Sequence, residues 1–235
     1  MHVSLSEVQT TICKATVAVG LPLGLGEEAG RAARCMMASG VGSLAAFVNA
    51  LDALEEDRST GFNADQAIAG TFRPKTEVQL LSALRAGPSA CDLVVSAAST
   101  NMGDLRITLN EVDVPIVILF QALASSTEVD KSLYVAWNME CKRRVEVRCW
   151  QGTLTLVNGV AEDLLSTNSA KVSISLVEPV PRASAITANR NAQHDANDVD
   201  EETWRRIEAY ADRLLLNSTR TSRLTGAGAG VIDLD

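Results

Sequence analysis

The chain has 235 residues, 46% apolar, 21% charged and only 4% aromatic, with 21 Lys and Arg against 29 Asp and Glu for a formal net charge of −8. That length buries a sizeable core in one domain or two small ones, and the apolar content excludes fibrous, collagenous and mostly disordered classes. The negative charge argues against a nucleic-acid binder. The chain has no apolar run of about 18 residues, so no membrane-spanning helix is expected, and with no basic segment before an apolar one a cleaved secretory signal is not expected either.

The N-terminal quarter reads as helical. Ser4 and Glu7 have capping-box spacing, and Leu5, Val8, Ile12, Cys13 and Ala15 follow at helical intervals, predicting a helix over about 5–18. Gly20, Pro22, Gly24 and Gly26 interrupt it. A second helix is expected over about Glu27–Ser39, with Glu27 and Glu28 in its first turn and Gly40 ending it. A third, about Ser43–Glu56, lines Leu44, Phe47, Val48, Leu51 and Leu54 on one face.

The polar stretch Asp57–Pro74 reads as a long loop. Thr76 with Gln79 signals a short helix through Leu84, ended by Gly87-Pro88. From Cys91 the pattern changes: Leu93-Val94-Val95 reads as a buried strand and Leu105–Leu109 as a half-buried one. Pro115 suits a first helical position, so the run Ile116–Ala124 is expected to be a buried helix. Leu133–Trp137, Val145–Trp150, Leu154–Val157 and Val172–Val177 are β-like, and Gln151-Gly152 is a two-residue hairpin turn. A polar surface excursion follows Glu178-Pro179-Val180-Pro181, and Asp198 with Glu201 caps an amphipathic helix over about Val199–Asn217. The whole, 1–235, reads as a single α+β domain. It divides into a helical part (1–56), a strand-rich part (91–178), a closing helix (199–217) and a glycine-rich tail (218–235). The expected architecture is an N-terminal helical layer packed on a mainly antiparallel sheet, closed by the C-terminal amphipathic helix.

Chemistry is sparse. The five cysteines (Cys13, Cys35, Cys91, Cys141, Cys149) are odd in number and lack C-x-x-C spacing, so neither a disulfide framework nor a zinc knuckle is expected, and reduced thiols suit the cytoplasm. His2 and His194 are the only histidines, too few for a His-rich metal site or an ordinary hydrolase device. Gly24-Leu25-Gly26-Glu27-Glu28-Ala29-Gly30 is a poor phosphate loop, because two carboxylates stand where the phosphate would sit. A turn with close helix packing accounts for it better. Glu111 and Asp113 precede Pro115 as turn residues, and Lys142-Arg143-Arg144 is a local basic patch. Trp137 and Trp150 read as core residues.

The tail holds the strongest candidate site. In Ser222–Gly230, the residues Gly226, Gly228 and Gly230 could aim consecutive N–H groups at an anion, with Arg220 and Arg223 supplying charge. A docked structural tail and a disordered one are the other readings. Asp233 and Asp235 read as solvated end charges.

Three segments together resemble a known family. Glu27-Glu28-Ala29-x-x-Ala32-Ala33-Arg34, the run Pro115–Phe120, and Ser222-Arg223-x-x-Gly226-Ala227-Gly228-Ala229-Gly230 are similar to the bacterial family called domain of unknown function 3726. The resemblance spans nearly the whole chain and departs at Leu234, where family members carry Asn. It implies a cytoplasmic bacterial protein of small-molecule metabolism and brings no activity, cofactor or catalytic residue. The functional expectation is an enzyme or binding protein for a small anionic metabolite, acting through Arg220, Arg223 and the glycines. The alternative is a non-catalytic accessory or homo-oligomeric protein whose tail docks on a partner subunit. No metal, nucleic-acid or membrane partner is expected.

Overall fold

The structure is a computed structural model, and it describes residues 1–65, 70–99, 105–139, 143–165, 168–178 and 196–214. Six α-helices occupy these residues: α1 (Leu5–Ala18), α2 (Leu23–Ser39), α3 (Ala45–Glu55), α4 (Ala83–Ser99), α5 (Pro115–Ser125) and α6 (Glu201–Ala211). The strands are β1 (His2–Ser4), β2 (Ser59–Thr60), β3 (Thr71–Phe72), β4 (Leu80–Leu81), β5 (Arg106–Val112), β6 (Ser132–Asn138), β7 (Arg144–Trp150), β8 (Thr153–Asn158), β9 (Ala170–Val177) and β10 (Ala196–Asp198). The fold class is α+β, with an open, mixed eight-stranded sheet in the order β2-β4-β5-β9-β6-β7-β8 and β3 pairing with β5.

Five strands, β5, β9, β6, β7 and β8, pair antiparallel as the alternating pattern predicts, whereas β2, β3 and β4 add a parallel flank. On β7, Val145, Val147 and Cys149 face the core while Arg144, Glu146 and Arg148 face away, the period-two alternation of a strand with one buried face. Gln151 (φ +46°) and Gly152 (φ +70°) join β7 to β8 with both turn residues left-handed, as the right-handed twist of a tight hairpin requires.

The centre of the molecule is α5. Every residue from Pro115 to Leu123 is buried, and the helix touches α2 and α4 on one side and β6, β7 and β9 on the other. The N-terminal layer therefore reaches the sheet through α5. Ser4 and Glu7 form the expected capping box on α1, the Ser4 hydroxyl accepting from the Glu7 N–H at 3.1 Å while Glu7 accepts from the Ser4 N–H at 2.9 Å. Gly40 ends α2 at φ +66°.

Several expectations fail for physical reasons. Helix α2 starts four residues earlier than its glycines suggested, so Gly24 and Gly26 are helical and Glu27 and Glu28 lie past the first turn. The glycines serve helix packing: a Cβ at Gly26 would stand 2.9 Å from the Cys13 carbonyl oxygen of α1, and one at Gly30 would overlap the Gln9 carbonyl. The short helix expected from Thr76 through Leu84 is instead turns over 75–79 and strand β4 at Leu80–Leu81, while α4 starts at Ala83, runs through Gly87 and Pro88 and takes in the expected strand at Leu93–Val95. Its buried residues Ala83, Ala86, Ala90, Cys91, Val94 and Ala97 recur at helical spacing, and Gly87 is required because the Gln121 amide of α5 lies against it. Strands β2 and β3 fall inside the stretch read as a loop, each too short to show a period.

The closing helix is shorter than expected, because Asp198 belongs to β10 and pairs with His2 of β1. Asp200 is the N-cap, accepting from the Thr203 N–H at 2.9 Å, and α6 buries Trp204, Ile207, Tyr210 and Ala211 against the N-terminal helices. Asn217 and most of the expected excursion, residues 179–195, lie outside the described residues.

Candidate functional site

Strands β2, β3, β4 and β5 run parallel, and β6 runs the same way because both β5 and β6 pair antiparallel with β9. Their carboxyl ends therefore meet along one edge of the sheet, together with the start of β9. In open sheets with parallel strands, that edge is where ligand crevices form. Arg73 follows β3, Ser82 follows β4, Asp113 follows β5, and Asn138 closes β6.

The end of β5 is irregular. Its register against β9 slips between Leu109 and Val112, and Glu111 holds φ +54°, a left-handed conformation uncommon for a residue with a side chain. Bulges of this kind re-aim side chains, and here Asn110 and Glu111 both line an open cleft of about 850 Å³. Arg73, Glu77, Asn138 and Lys171 line the same cleft. Among the described residues, neither Arg73 nor Lys171 forms an ion pair, and neither do Glu77 and Glu111.

A smaller cavity of about 370 Å³ adjoins it through Ser169, which lines both. Asn49 of α3, Arg58 and Asp113 contribute its polar lining. Asp113 is 4% exposed. Its Oδ1 accepts from two backbone N–H groups, that of Ala83 at 2.9 Å and that of Val114 at 2.7 Å, and so fixes the starts of α4 and α5. Its Oδ2 has no hydrogen-bond partner, and the buried hydroxyls of Ser59 and Ser82 have none either. The Ser59 hydroxyl faces the carboxyl but falls short of hydrogen-bond geometry.

Burial pushes the Asp113 carboxyl up to about 6, the two N–H bonds and the nearby Arg58 charge offsetting it only in part. Arg58 is itself paired with Glu56, Nε to Oε2, at 2.5 Å. A carboxyl that titrates near neutrality at the wall of a cavity can take or give a proton to a bound molecule.

The residues singled out in the tail, Arg220, Arg223, Gly226, Gly228 and Gly230, lie outside the described residues, as do Cys141, Lys142 and His194. Arg143 and Arg144 of the basic patch are committed elsewhere, to Asp163 at 2.9 Å and Glu146 at 2.6 Å. Asp113 was visible in the sequence only as a turn residue before Pro115, and Arg73 sat in the stretch read as loop. Their shared edge depends on the short parallel strands, which leave no pattern. Trp137 is buried as expected, whereas Trp150, also read as core, is only half-buried. No helix among the described residues is long and apolar enough to cross a membrane.

The structure is similar to that of the sulfolactate dehydrogenase from Methanocaldococcus jannaschii, with a TM-score of 0.61 at 9% identity, covering 92% of this chain and 98% of that one. Malate dehydrogenases are more distant. That of Pyrococcus horikoshii OT3 gives 0.48 at 8% identity over 72% of this chain and 57% of its own, and that of Entamoeba histolytica 0.45 at 9% over 66% and 45%. At such identities the likeness is one of fold. In sequence, residues 3–73 match the family described as "Protein of unknown function (DUF3726)", and the chain resembles that family. The matched stretch holds α1 to α3 and the segment Glu27–Arg34. The run Pro115–Phe120 and the glycine motif lie beyond it, so the resemblance is narrower than the sequence suggested. No curated protein matches the chain in sequence.

Proposed function

We propose that this protein is an enzyme or binding protein for a small anionic metabolite, held at the carboxyl edge of the parallel strands. One observation carries the reading: Arg73 and Lys171 line a single open cleft, and neither is neutralised by a carboxylate among the described residues. A guanidinium and an ammonium so placed offer charge-assisted hydrogen bonds to a carboxylate or oxoanion, and the amides of Asn110 and Asn138 add neutral donors. The fold is shared with a protein named for sulfolactate, a small anion. That likeness extends to the fold alone, so the weight rests on the two cations. In the same proposal, Arg220 and Arg223, with the N–H groups of Gly226, Gly228 and Gly230, add further donors to the anion.

The test is a thermal-shift series with small mono- and dicarboxylates, sulfate and phosphate. An anion at about 100 times its dissociation constant should add roughly 2.7 kcal/mol to the stability. Arg73→Ala and Lys171→Ala should each remove most of that gain, and truncation before Gly226 reports what the tail contributes. A series in which no anion raises the melting temperature, or in which both variants respond as the intact chain does, overturns the reading. A truncation that changes oligomer size and leaves anion binding intact would instead make the tail a subunit-docking element.

A further inference from the structure

The outer cleft explains an anion but leaves the inner cavity unexplained. Capping accounts for Asp113 Oδ1 and not for Oδ2, which is buried without a partner at the cavity wall. Buried carboxylate oxygens are nearly always hydrogen-bonded, and an ionised one left alone carries the full desolvation cost. Arg58 is the charged group that faces Asp113 among the described residues, and its guanidinium is already held by Glu56. Ser59 stands beside Asp113, and Ser82 directly precedes Ala83, whose N–H reaches Oδ1. Neither serine lines the cavity, so Asp113 Oδ2 is the buried acceptor without a partner that its wall offers to a bound group. An ammonium group brings N–H donors and a positive charge, and so complements that oxygen in both hydrogen bonding and sign.

We propose that the inner cavity seats the ammonium end of a zwitterionic ligand on Asp113 Oδ2, while Arg73 and Lys171 in the adjoining cleft hold the carboxylate end of the same molecule. The proposal rests on the anion reading above and extends it to a substrate class, amino acids and related amino carboxylates. It also gives the mixed lining of the outer cleft a role, since Glu77 and Glu111 lower the affinity for a simple anion and penalise a zwitterion less. Binding there draws on ionised Asp113, so a ligand that arrives at mildly acid pH displaces a proton from it to solvent.

The experiment uses butyrate, butylamine and α-, β- and γ-aminobutyrate as probes, one carbon skeleton with the amine absent, alone or at three distances from the carboxylate. Each is titrated into the full chain and into the Asp113→Asn and Arg73→Ala variants. Asparagine keeps the Oδ1 acceptor that caps α4 and α5 and places an N–H2 donor where Oδ2 was. The best-fitting aminobutyrate should bind at least about tenfold more tightly than either monofunctional probe, which is about 1.4 kcal/mol. Asp113→Asn should remove that advantage and weaken butylamine similarly, leaving butyrate within about twofold. In the intact chain the affinity for the amines should fall as the pH is lowered from about 7.5 to about 5, as Asp113 is protonated.

If the amines bind Asp113→Asn as tightly as the intact chain, or do not bind the intact chain, the ammonium site is disproved. Arg73-dependent butyrate binding would in that case leave the anion reading standing. Butylamine held through Asp113 with no binding of butyrate has the opposite meaning: the anion reading fails and the ammonium seat remains. Should Asp113→Asn not fold, the pH series decides, since amine affinity that is unchanged below about pH 6 overturns the proposal.

Discussion

Tyr210 donates its hydroxyl to Asp52 Oδ1 at 2.7 Å, and Arg206 reaches the other oxygen of the same carboxylate at 2.5 Å. These bonds tie α6 to α3 across 158 positions of sequence in the case of Tyr210. Burial, the hydrogen bond to Asp52 and the charges of Asp52 and Glu55 push the Tyr210 phenol up to about 12, opposed by Arg213, whose guanidinium lies 4.5 Å from the ring centre. Raised in the folded state, this phenol gives stability that is present below its ordinary value of 10 and lost as the pH climbs through about 12. Asp52→Asn should bring the phenol back toward its ordinary value. Absorbance of ionised tyrosine in an alkaline titration measures it, with Tyr210→Phe assigning the signal; an unmoved transition in Asp52→Asn refutes the coupling. Tyr210→Phe should itself cost about 1 kcal/mol.

Asp113 sets a second pH dependence, of opposite practical range. Its folded value of about 6 lies above its ordinary 3.8, so the folded protein holds this proton more tightly than the unfolded chain. Its contribution is fully present below about pH 4 and is lost as the pH rises through about 6, a change of roughly 3 kcal/mol. Glu7, held low by the Ser4 N–H, and Asp200, held low by the Thr203 N–H, act in the reverse sense in both proteins compared. Urea unfolding of the intact chain and Asp113→Asn between about pH 4 and 7 therefore isolates Asp113 by difference. A flat difference across that window contradicts the assignment.

The glycines of α2 should behave unequally. Gly30 lies where a Cβ would overlap the Gln9 carbonyl of α1, whereas Gly24 meets nothing within 4 Å. Gly30→Ala should separate the two helices and cost about 1–3 kcal/mol. Gly24→Ala should stabilise by about 0.4–1 kcal/mol, through loss of freedom in the unfolded chain. Chemical denaturation of the two variants is sufficient, and equal effects would show that helix contact is not what selects glycine at position 30.

Gln121 is 2% exposed, and both atoms of its amide lack partners. Replacing a buried, unsatisfied amide with an apolar side chain of similar length removes a desolvation cost of about 1–2 kcal/mol. Gln121→Met should therefore raise the melting temperature, methionine being flexible enough to lie against Gly87. A lowered melting temperature would mean that the amide has a hydrogen-bonding role in the native core.

These comparisons also show where sequence is informative. The capping box at Ser4 and Glu7, the buried helix opened by Pro115 and the left-handed pair Gln151-Gly152 are local devices, and each is written in adjacent residues. Leu93–Val95 misleads because three apolar residues fit a strand or a buried helix equally well, and only the wider spacing of Ala90, Cys91, Val94 and Ala97 decides. Gly87-Pro88 reads as a stop until the Gln121 amide opposite is known. The site was the least legible part. Arg73, Asp113 and Lys171 converge through strands two residues long and through pairing of β5 with β9, relations that leave no periodic trace.

The pairing of β1 with β10 has a kinetic consequence. Val3 lies opposite Asn197, and the Met1 ammonium donates to the Val199 carbonyl at 2.8 Å. Strand β1 leads directly into α1, which packs against both α2 and α6. Helix α1 can pack on its neighbour α2 early, but the part of its surface that meets α6 waits for one of the last described elements. Contacts of such long sequence separation close late and slow folding, and the surface of α1 that meets α6 stays exposed to chaperones or to neighbouring chains until then. Synthesis of this chain is accordingly a race between completion of α6 and aggregation through α1.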